Sequence, residues 1–234
     1  MTEVAAGIYR ISTPVPDVPG GFTFNQFLVG GDEPLLFHSG PRALFPAVSA
    51  AVARVLPLER LRWIGFGHLE ADECGAMNLL LAAAPRAQVV QGQIGCMVSL
   101  GDLADRPPRA LADDEVLATG SHRLRCLYTP HVPHGWDAIL LHEEVTGTLL
   151  CGDLFTHLGA DLPAVTSDSL LEPALAAEAQ FRSTAMAPHT AATLERLATL
   201  GPRTLATMHG STFQGDGASE LRGLAKELTA RFGR

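Results

Sequence analysis

The chain reads as an α/β protein in four layers, with two β-sheets face to face and helices on both outer sides. Two observations carry this expectation. Short apolar runs of strand length alternate with stretches of helical periodicity along the whole sequence. The strands also gather in two groups, each followed by helices able to cover one sheet. With 234 residues, 47% of them hydrophobic, the chain can bury one substantial core. Neither a low-complexity segment nor a linker divides it, so residues 1–234 are expected to form one domain.

The first strands fall at about residues 6–11, 23–29 and 34–37 and form a meander. The turns between them hold Pro19-Gly20-Gly21 and Gly30-Gly31-Asp32. A helix at about 43–55, a strand at 61–66, a helix at 75–84 and a strand at 87–91 follow in alternation. Strands at about 115–118 and 123–128 lead into a hairpin of 138–143 and 148–151, with Thr146-Gly147 in its turn. Helices at about 169–183 and 190–200, a strand at 204–208 and a closing helix at about 218–232 complete the chain. Leu170, Leu171, Leu175 and Phe181 of the 169–183 helix are expected to face the core, and its other side to form a wall over the site or a dimer surface.

Lys and Arg number 17 against 25 Asp and Glu, a formal charge of −8 that repels phosphate backbones and anionic bilayers. Nucleic-acid and membrane partners are therefore not expected. The N-terminus lacks a positive leader and no apolar run reaches the roughly 20 residues of a membrane span, so a soluble, cytoplasmic protein is expected. Cys74, Cys96, Cys126 and Cys151 form no CxxC pair and read as reduced thiols, which leaves no zinc ribbon or rubredoxin-like iron site.

The chemistry concentrates in three places. In Gly67-His68-Leu69-Glu70-Ala71-Asp72-Glu73-Cys74-Gly75 an apolar strand runs out into a loop, and extended backbone would point residues 68, 70 and 72 to one side. Three side chains able to bind a metal then converge. The second place joins His134, at the mouth of the first hairpin strand, to Asp153, just past the end of the second. Antiparallel pairing would set them side by side. The third is the strand that ends in His209-Gly210.

This ordered series resembles the metallo-β-lactamase superfamily, whose metal motif begins HxHxDH and continues with a histidine, a GD aspartate and a final histidine. Glu70 stands in place of the second histidine and Glu73 in place of the last in that motif. The HxExD pattern looks like the flavodiiron branch and the related oxygen-binding di-iron proteins. Thr23-Phe24-Asn25-Gln26-Phe27-Leu28, the HxxD step from His134 to Asp137 and the 19-residue spacing from His134 to Asp153 agree with it.

The resemblance implies the αββα sandwich of the metallo-β-lactamase type. It implies one iron held by His68, Glu70 and His134, a second by Asp72 and His209, and Asp153 bridging the two. Carboxylates mixed with imidazoles suit iron or manganese better than a histidine-rich set, which suits zinc. Glu73 has two readings: a ligand of the second metal, directly or through water, or a solvated acid in the first turn of a helix. His157 is the candidate catalytic residue, lining the pocket four positions after Asp153. His131 competes with His134 but lacks the HxxD step. His38 either orients a ligand or is a buried polar residue. His122, His142 and His189 are expected on the surface.

Binding or reduction of O2, and of NO, follows from the resemblance, as a sensor or as a reductase component. Only 25 residues follow His209, so no FMN-carrying domain is expected within the chain and electrons would come from an external donor. A head-to-tail homodimer is also implied. The competing expectation is a metal-dependent hydrolase of the same fold acting on an ester, thioester or phosphoester. A third is a binding module in which the metals are structural.

Overall fold

The computed structural model describes residues 1–15, 18 and 20–232; the expected turn residue Pro19 lies outside them. Seven strands form the first sheet in the order β1 (Thr2–Ala5), β2 (Ile8–Val15), β3 (Phe22–Val29), β4 (Leu35–Phe37), β5 (Trp63–Gly65), β6 (Gln88–Gly92), β7 (Arg109–Leu111). The meander β1 to β4 is antiparallel, as expected, and β4 to β7 run parallel. The second sheet has the order β12 (Val165–Thr166), β14 (Thr212–Gln214), β13 (Thr204–Ala206), β11 (Thr148–Leu150), β10 (Ile139–Glu143), β9 (Arg123–Tyr128), β8 (Val116–Ala118).

Alternation along the strands divides the apolar residues into three layers of core. On β3, Phe27 and Val29 face the second sheet and meet Leu124, Ile139 and Leu141, while Leu28 faces outward. Leu28 packs there with Val48 of α1 (Phe45–Val52) and Leu80 of α3 (Met77–Ala83). In the second sheet Leu141 and Leu150 join the inner layer, whereas Leu140 and Leu149 pack outward. Those two meet α6 (Leu171–Phe181), α7 (Thr190–Thr199) and α8 (Gly217–Phe232) through Leu175, Leu194, Leu197, Leu221 and Leu224. The αββα sandwich is therefore the fold.

Several elements differ from the expectation. The strand expected at 6–11 crosses a hairpin turn, where Gly7 takes φ +71° between β1 and β2. The helix expected at 75–84 is α3, and a short helix not foreseen, α2 (Ala71–Cys74), precedes it. The chain is so tight at Gly75 that a Cβ there would lie 2.3 Å from the Ala71 carbonyl. A helical run of α4 (Gln93–Gly95), a π turn (Cys96–Leu100) and α5 (Gly101–Leu103), and the short strands β7, β12 and β14, were not foreseen. Each is only two to five residues long, too short for a periodicity to show. Among the described residues no helix is long and apolar enough to cross a membrane.

The two sheets are stitched at one rim, and the metal motif lies there. Ile139 N–H donates to the Gly67 carbonyl at 2.8 Å, and Asn25 N–H donates to the Met208 carbonyl at 2.8 Å. Within the second sheet Met208 N–H donates to the Gly152 carbonyl at 3.0 Å. The loops after β5, β11 and β13 and the loop before β10 thus open together. Phe37, fully buried between the sheets, holds this spacing from below. Phe37→Ala should cost about 4 kcal/mol in chemical denaturation, the range for an emptied aromatic core site; a loss under about 1 kcal/mol would contradict the inter-sheet packing.

Candidate metal centre

His68 leaves the end of β5, and Glu70, in extended backbone (φ −135°, ψ 154°), precedes α2. His68 Nε2 lies 2.9 Å from Glu70 Oε2, and His134 Nε2, from the loop between β9 and β10, lies 3.3 Å from the same oxygen. Asp153 Oδ2 stands 3.3 Å from His134 Nε2 and 3.8 Å from His68 Nε2. One ligand atom from each of His68, Glu70, His134 and Asp153 falls within 4.8 Å of the others, a separation one metal ion can span.

The second group lies on the other side of Asp153. His209 Nε2 is 3.2 Å from Asp153 Oδ1 and 3.5 Å from Asp72 Oδ2. The two oxygens of Asp153 therefore face different groups, the geometry a bridging carboxylate needs. Asp72 does not arrive by strand alternation, as expected, but from the first turn of α2, which carries it away from Glu70 and toward His209. His134 and Asp153 also meet otherwise than expected. The hairpin register pairs Leu141 with Leu150, so a straight ladder would not place them opposite; the 129–137 loop bends His134 back onto Asp153.

The ligand candidates are held from behind. His209 donates Nδ1–H to the Thr23 carbonyl at 2.8 Å, which leaves Nε2 free for a metal. Gly210 N–H donates to Thr23 Oγ1, and Asn25 and Arg10 both donate to the Gly210 carbonyl. Asp137 accepts the Leu69 N–H at 3.1 Å, so the aspartate of the HxxD step pins the first loop. Phe22 stacks on the His209 ring at 4.2 Å, and Phe24 meets it edge-on at 5.5 Å.

A pocket of ≈ 390 Å³ opens over both groups. It is lined by Glu70, Asp72, His134, Asp153 and His209, with Phe22, Phe181, Thr156 and Ser183 at its walls. Phe181, expected in the core, is 42% exposed and belongs to the lip.

Burial works against the charged form of His68, yet Glu73 and Glu70 prevail and push its pKa up to about 11. Burial likewise opposes His209, and the adjacent carboxylates of Asp153 and Asp72 push it up to about 10. Burial would raise the Asp153 carboxyl, but His209, His68 and His134 hold it below the usual carboxylate range. The His68 hydrogen bond, ahead of the His134 one, lowers Glu70. A donor set of carboxylates and imidazoles, with buried oxygens on Asp72 and Asp153 that accept no well-formed hydrogen bond, fits metal ions.

Three expected roles are corrected. Glu73 is neither a solvated acid nor grouped with the second set of ligands: it is fully buried behind His68, with Oε1 3.3 Å from Nδ1 on the far edge of that ring. His157 cannot serve the pocket, because its Nδ1–H donates to the Phe155 carbonyl at 2.8 Å and its Nε2 accepts the Ser211 N–H at 2.8 Å. It is a strut between loops, packed so closely that a Cβ at Gly210 would lie 2.3 Å from its ring. His122 and His142, expected on the surface, are buried; His122 Nδ1 lies 3.4 Å from Glu143. His131 is exposed and turned toward His189, away from the site. The four cysteines are free thiols, and burial followed by the nearby Glu73 pushes Cys74 up to about 11.

Fold and site together define a metalloprotein of the metallo-β-lactamase fold. The model of the ODP family of beta lactamases matches residues 22–210, and the chain belongs to that family. Rubredoxin-oxygen oxidoreductase of Megalodesulfovibrio gigas is 22% identical over 84% of this chain, and the chain spans only 50% of that relative's length. Among solved structures, the rubredoxin oxygen:oxidoreductase from Desulfovibrio gigas superposes with a TM-score of 0.83 at 17% identity, covering 96% of this chain and 60% of that one. The flavodiiron core of Flv1 from Synechocystis sp. PCC6803 gives 0.82 at 19%, covering 98% and 60%. The flavodiiron protein from Giardia intestinalis gives 0.77 at 16%, covering 99% and 59%.

The geometry yields two expectations for metal loading. Asp153→Asn should lower the content of both metals, whereas Glu70→Ala and His209→Ala should each lower one; elemental analysis of the purified variants measures this. Loss of a single equivalent in Asp153→Asn would contradict the bridge. The imidazoliums of His68 and His209 stabilise the metal-free fold fully below the free-histidine value of 6.5, and that contribution fades as pH rises through about 10 to 11. Metal takes the neutral rings, so its affinity runs the other way and climbs with pH. Uptake at pH 7 should release about two protons, one from each ring. Calorimetry in buffers of different ionisation enthalpy reads that number; a buffer-independent heat would contradict it.

Proposed function

We propose that this chain holds two iron ions and binds and reduces O2, with NO as a further substrate, as a component served by a separate electron donor. The observation that carries the proposal is the pairing of Glu70 with a bridging Asp153, which makes both ligand groups rich in carboxylate. Such a set favours iron or manganese over zinc. Two ferrous ions would supply the electrons for a diatomic ligand held in the pocket.

The chain's own residues select for such a ligand. Phe22 and Phe181 form an apolar lip beside His209, their rings 6.1 Å apart, and suit a small neutral molecule. No Arg or Lys lines the pocket among the described residues, so the negative charge of a phosphoester would meet carboxylates with nothing to pair it. Family membership supports the reading, as does the relative named for oxygen reduction with rubredoxin. A separate donor is part of the proposal because Cys74, Cys96, Cys126 and Cys151 are buried or half-buried and dispersed, with no redox pair among them.

Anaerobic purification followed by elemental analysis and optical spectroscopy tests the proposal. Two iron ions per chain, a change of spectrum on admission of O2 and catalytic O2 consumption with a chemical reductant are expected. Protein that carries zinc alone when iron is supplied, or iron protein indifferent to O2 and NO, would overturn it. A spectral change without turnover would leave O2 binding, a sensor's property, and remove the reductase.

A further inference from the structure

Glu73 stands where the resemblance expects a histidine ligand, and the structure gives it different work. Its carboxylate is fully buried. Oε2 accepts the His68 backbone N–H at 2.7 Å, and Oε1, which makes no well-formed hydrogen bond, lies 3.3 Å from His68 Nδ1. The opposite edge of the same ring presents Nε2 to Glu70 and Asp153. Space for the carboxylate is made by Gly67, where a Cβ would come within 3.1 Å of both Glu73 oxygens. Ser39 fixes the backbone beneath it, donating its N–H to the Glu73 carbonyl at 2.6 Å and its hydroxyl to the same atom at 3.1 Å. His38 closes the back of the arrangement with Nε2 3.6 Å from Glu73 Oε1.

We propose that Glu73 is a positioning residue for the first metal: it holds His68 in the tautomer protonated at Nδ1, so that Nε2 is the ligand atom. The inference rests on the two-metal reading of the site. A carboxylate behind a ligating histidine fixes ring orientation and tautomer and makes the ligand nitrogen more basic. With Oε2 of Glu73 committed to the His68 N–H, a second metal would have Asp72, Asp153 and His209 as its protein ligands among the described residues, beneath the pocket they line.

Glu73→Gln is the informative change. The His68 N–H requires an acceptor, so the amide oxygen takes the Oε2 place and the NH2 group falls where Oε1 was. A donor then faces Nδ1 and favours the tautomer protonated at Nε2, which leaves no lone pair on the nitrogen that faces the site. Metal-free protein is titrated anaerobically with Co(II), followed by its visible spectrum and by calorimetry. His134→Ala and His209→Ala mark which equivalent belongs to which group. The wild type should take two equivalents, and Glu73→Gln should bind the equivalent lost in His134→Ala some 10 to 100-fold more weakly. The equivalent lost in His209→Ala should be unchanged. If Glu73→Gln instead weakens that second equivalent, Glu73 is a ligand and the proposal is overturned; equal binding of both overturns it as well. Nitrogen-15 spectra of the zinc-loaded wild type read the tautomer without any variant, and a His68 protonated at Nε2 would also overturn it. Wild type that takes up no Co(II) would sink the metal centre itself, a result separable from failure of the Glu73 assignment alone.

Discussion

Asp153 is a carboxylate only 12% exposed at its side chain, set among three imidazoles, and both of its oxygens are committed in opposite directions. Charge in such a place is costly unless it is paired. Its partners come from loops that follow β5, β9 and β13, and Asp153 itself follows β11. The rim of the sandwich is therefore organised around a need for positive charge. Glu70, Asp72 and Glu73 add three more carboxylates nearby, and imidazolium forms of His68 and His209 answer part of that charge in the metal-free protein. Two divalent cations would balance four carboxylates and release both imidazoles to act as neutral ligands.

The distances that matter at this rim are set by packing beneath it. His68, Glu70 and Asp72 hang from the first sheet, whereas His134, Asp153 and His209 hang from the second. A slide of one sheet over the other would separate the two halves of each ligand group. Interdigitated Phe27, Phe37, Ile139 and Leu141 oppose that slide, and the hydrogen bonds from Ile139 to Gly67 and from Asn25 to Met208 fix the rim itself. Close packing is stiff, so core and site form one mechanical unit. The Thr23 contact to His209 belongs to the same logic, because a residue of β3 in the first sheet orients a ligand of the second.

Fold and ligands were legible in the sequence to different depths. Alternation of apolar residues marked the strands that run through the middle of both sheets, and the ordered series of histidines and acids marked Asp153 and the five residues that the structure gathers around it. What stayed hidden depended on side-chain direction at a single turn. Asp72 and Glu73 are adjacent in α2, so the helix turns them about 100° apart, one toward the pocket and the other into the interior. No spacing rule distinguishes those directions without Gly67, whose missing side chain makes the interior place available. His157 misled for a similar reason: four residues after Asp153, it is close in sequence, but a φ of +61° at Phe155 turns the chain and sends its ring under Gly210. Phe22 gave no signal as a pocket residue, since an aromatic at the start of a strand reads as core.

The pocket is asymmetric in a way that bears on how a ligand would meet it. On the side of the first group the lining is polar and open, with the Glu70 side chain 53% exposed. On the side of the second, Phe22 covers one face of His209, Phe24 meets its edge, and Phe181 stands against Phe22. That stacking holds the ring still and keeps water from one side of it. The second group is also the one with fewer protein donors once Glu73 is counted with His68 rather than with the ligands. The group with fewer donors thus lies in the more apolar surroundings. An apolar wall costs a small neutral molecule nothing to approach, whereas a hydrated anion would have to shed water without gaining a partner. In the proposed role, Glu73, which departs from the superfamily motif and turns inward toward His68, would also leave space at the apolar end of the site.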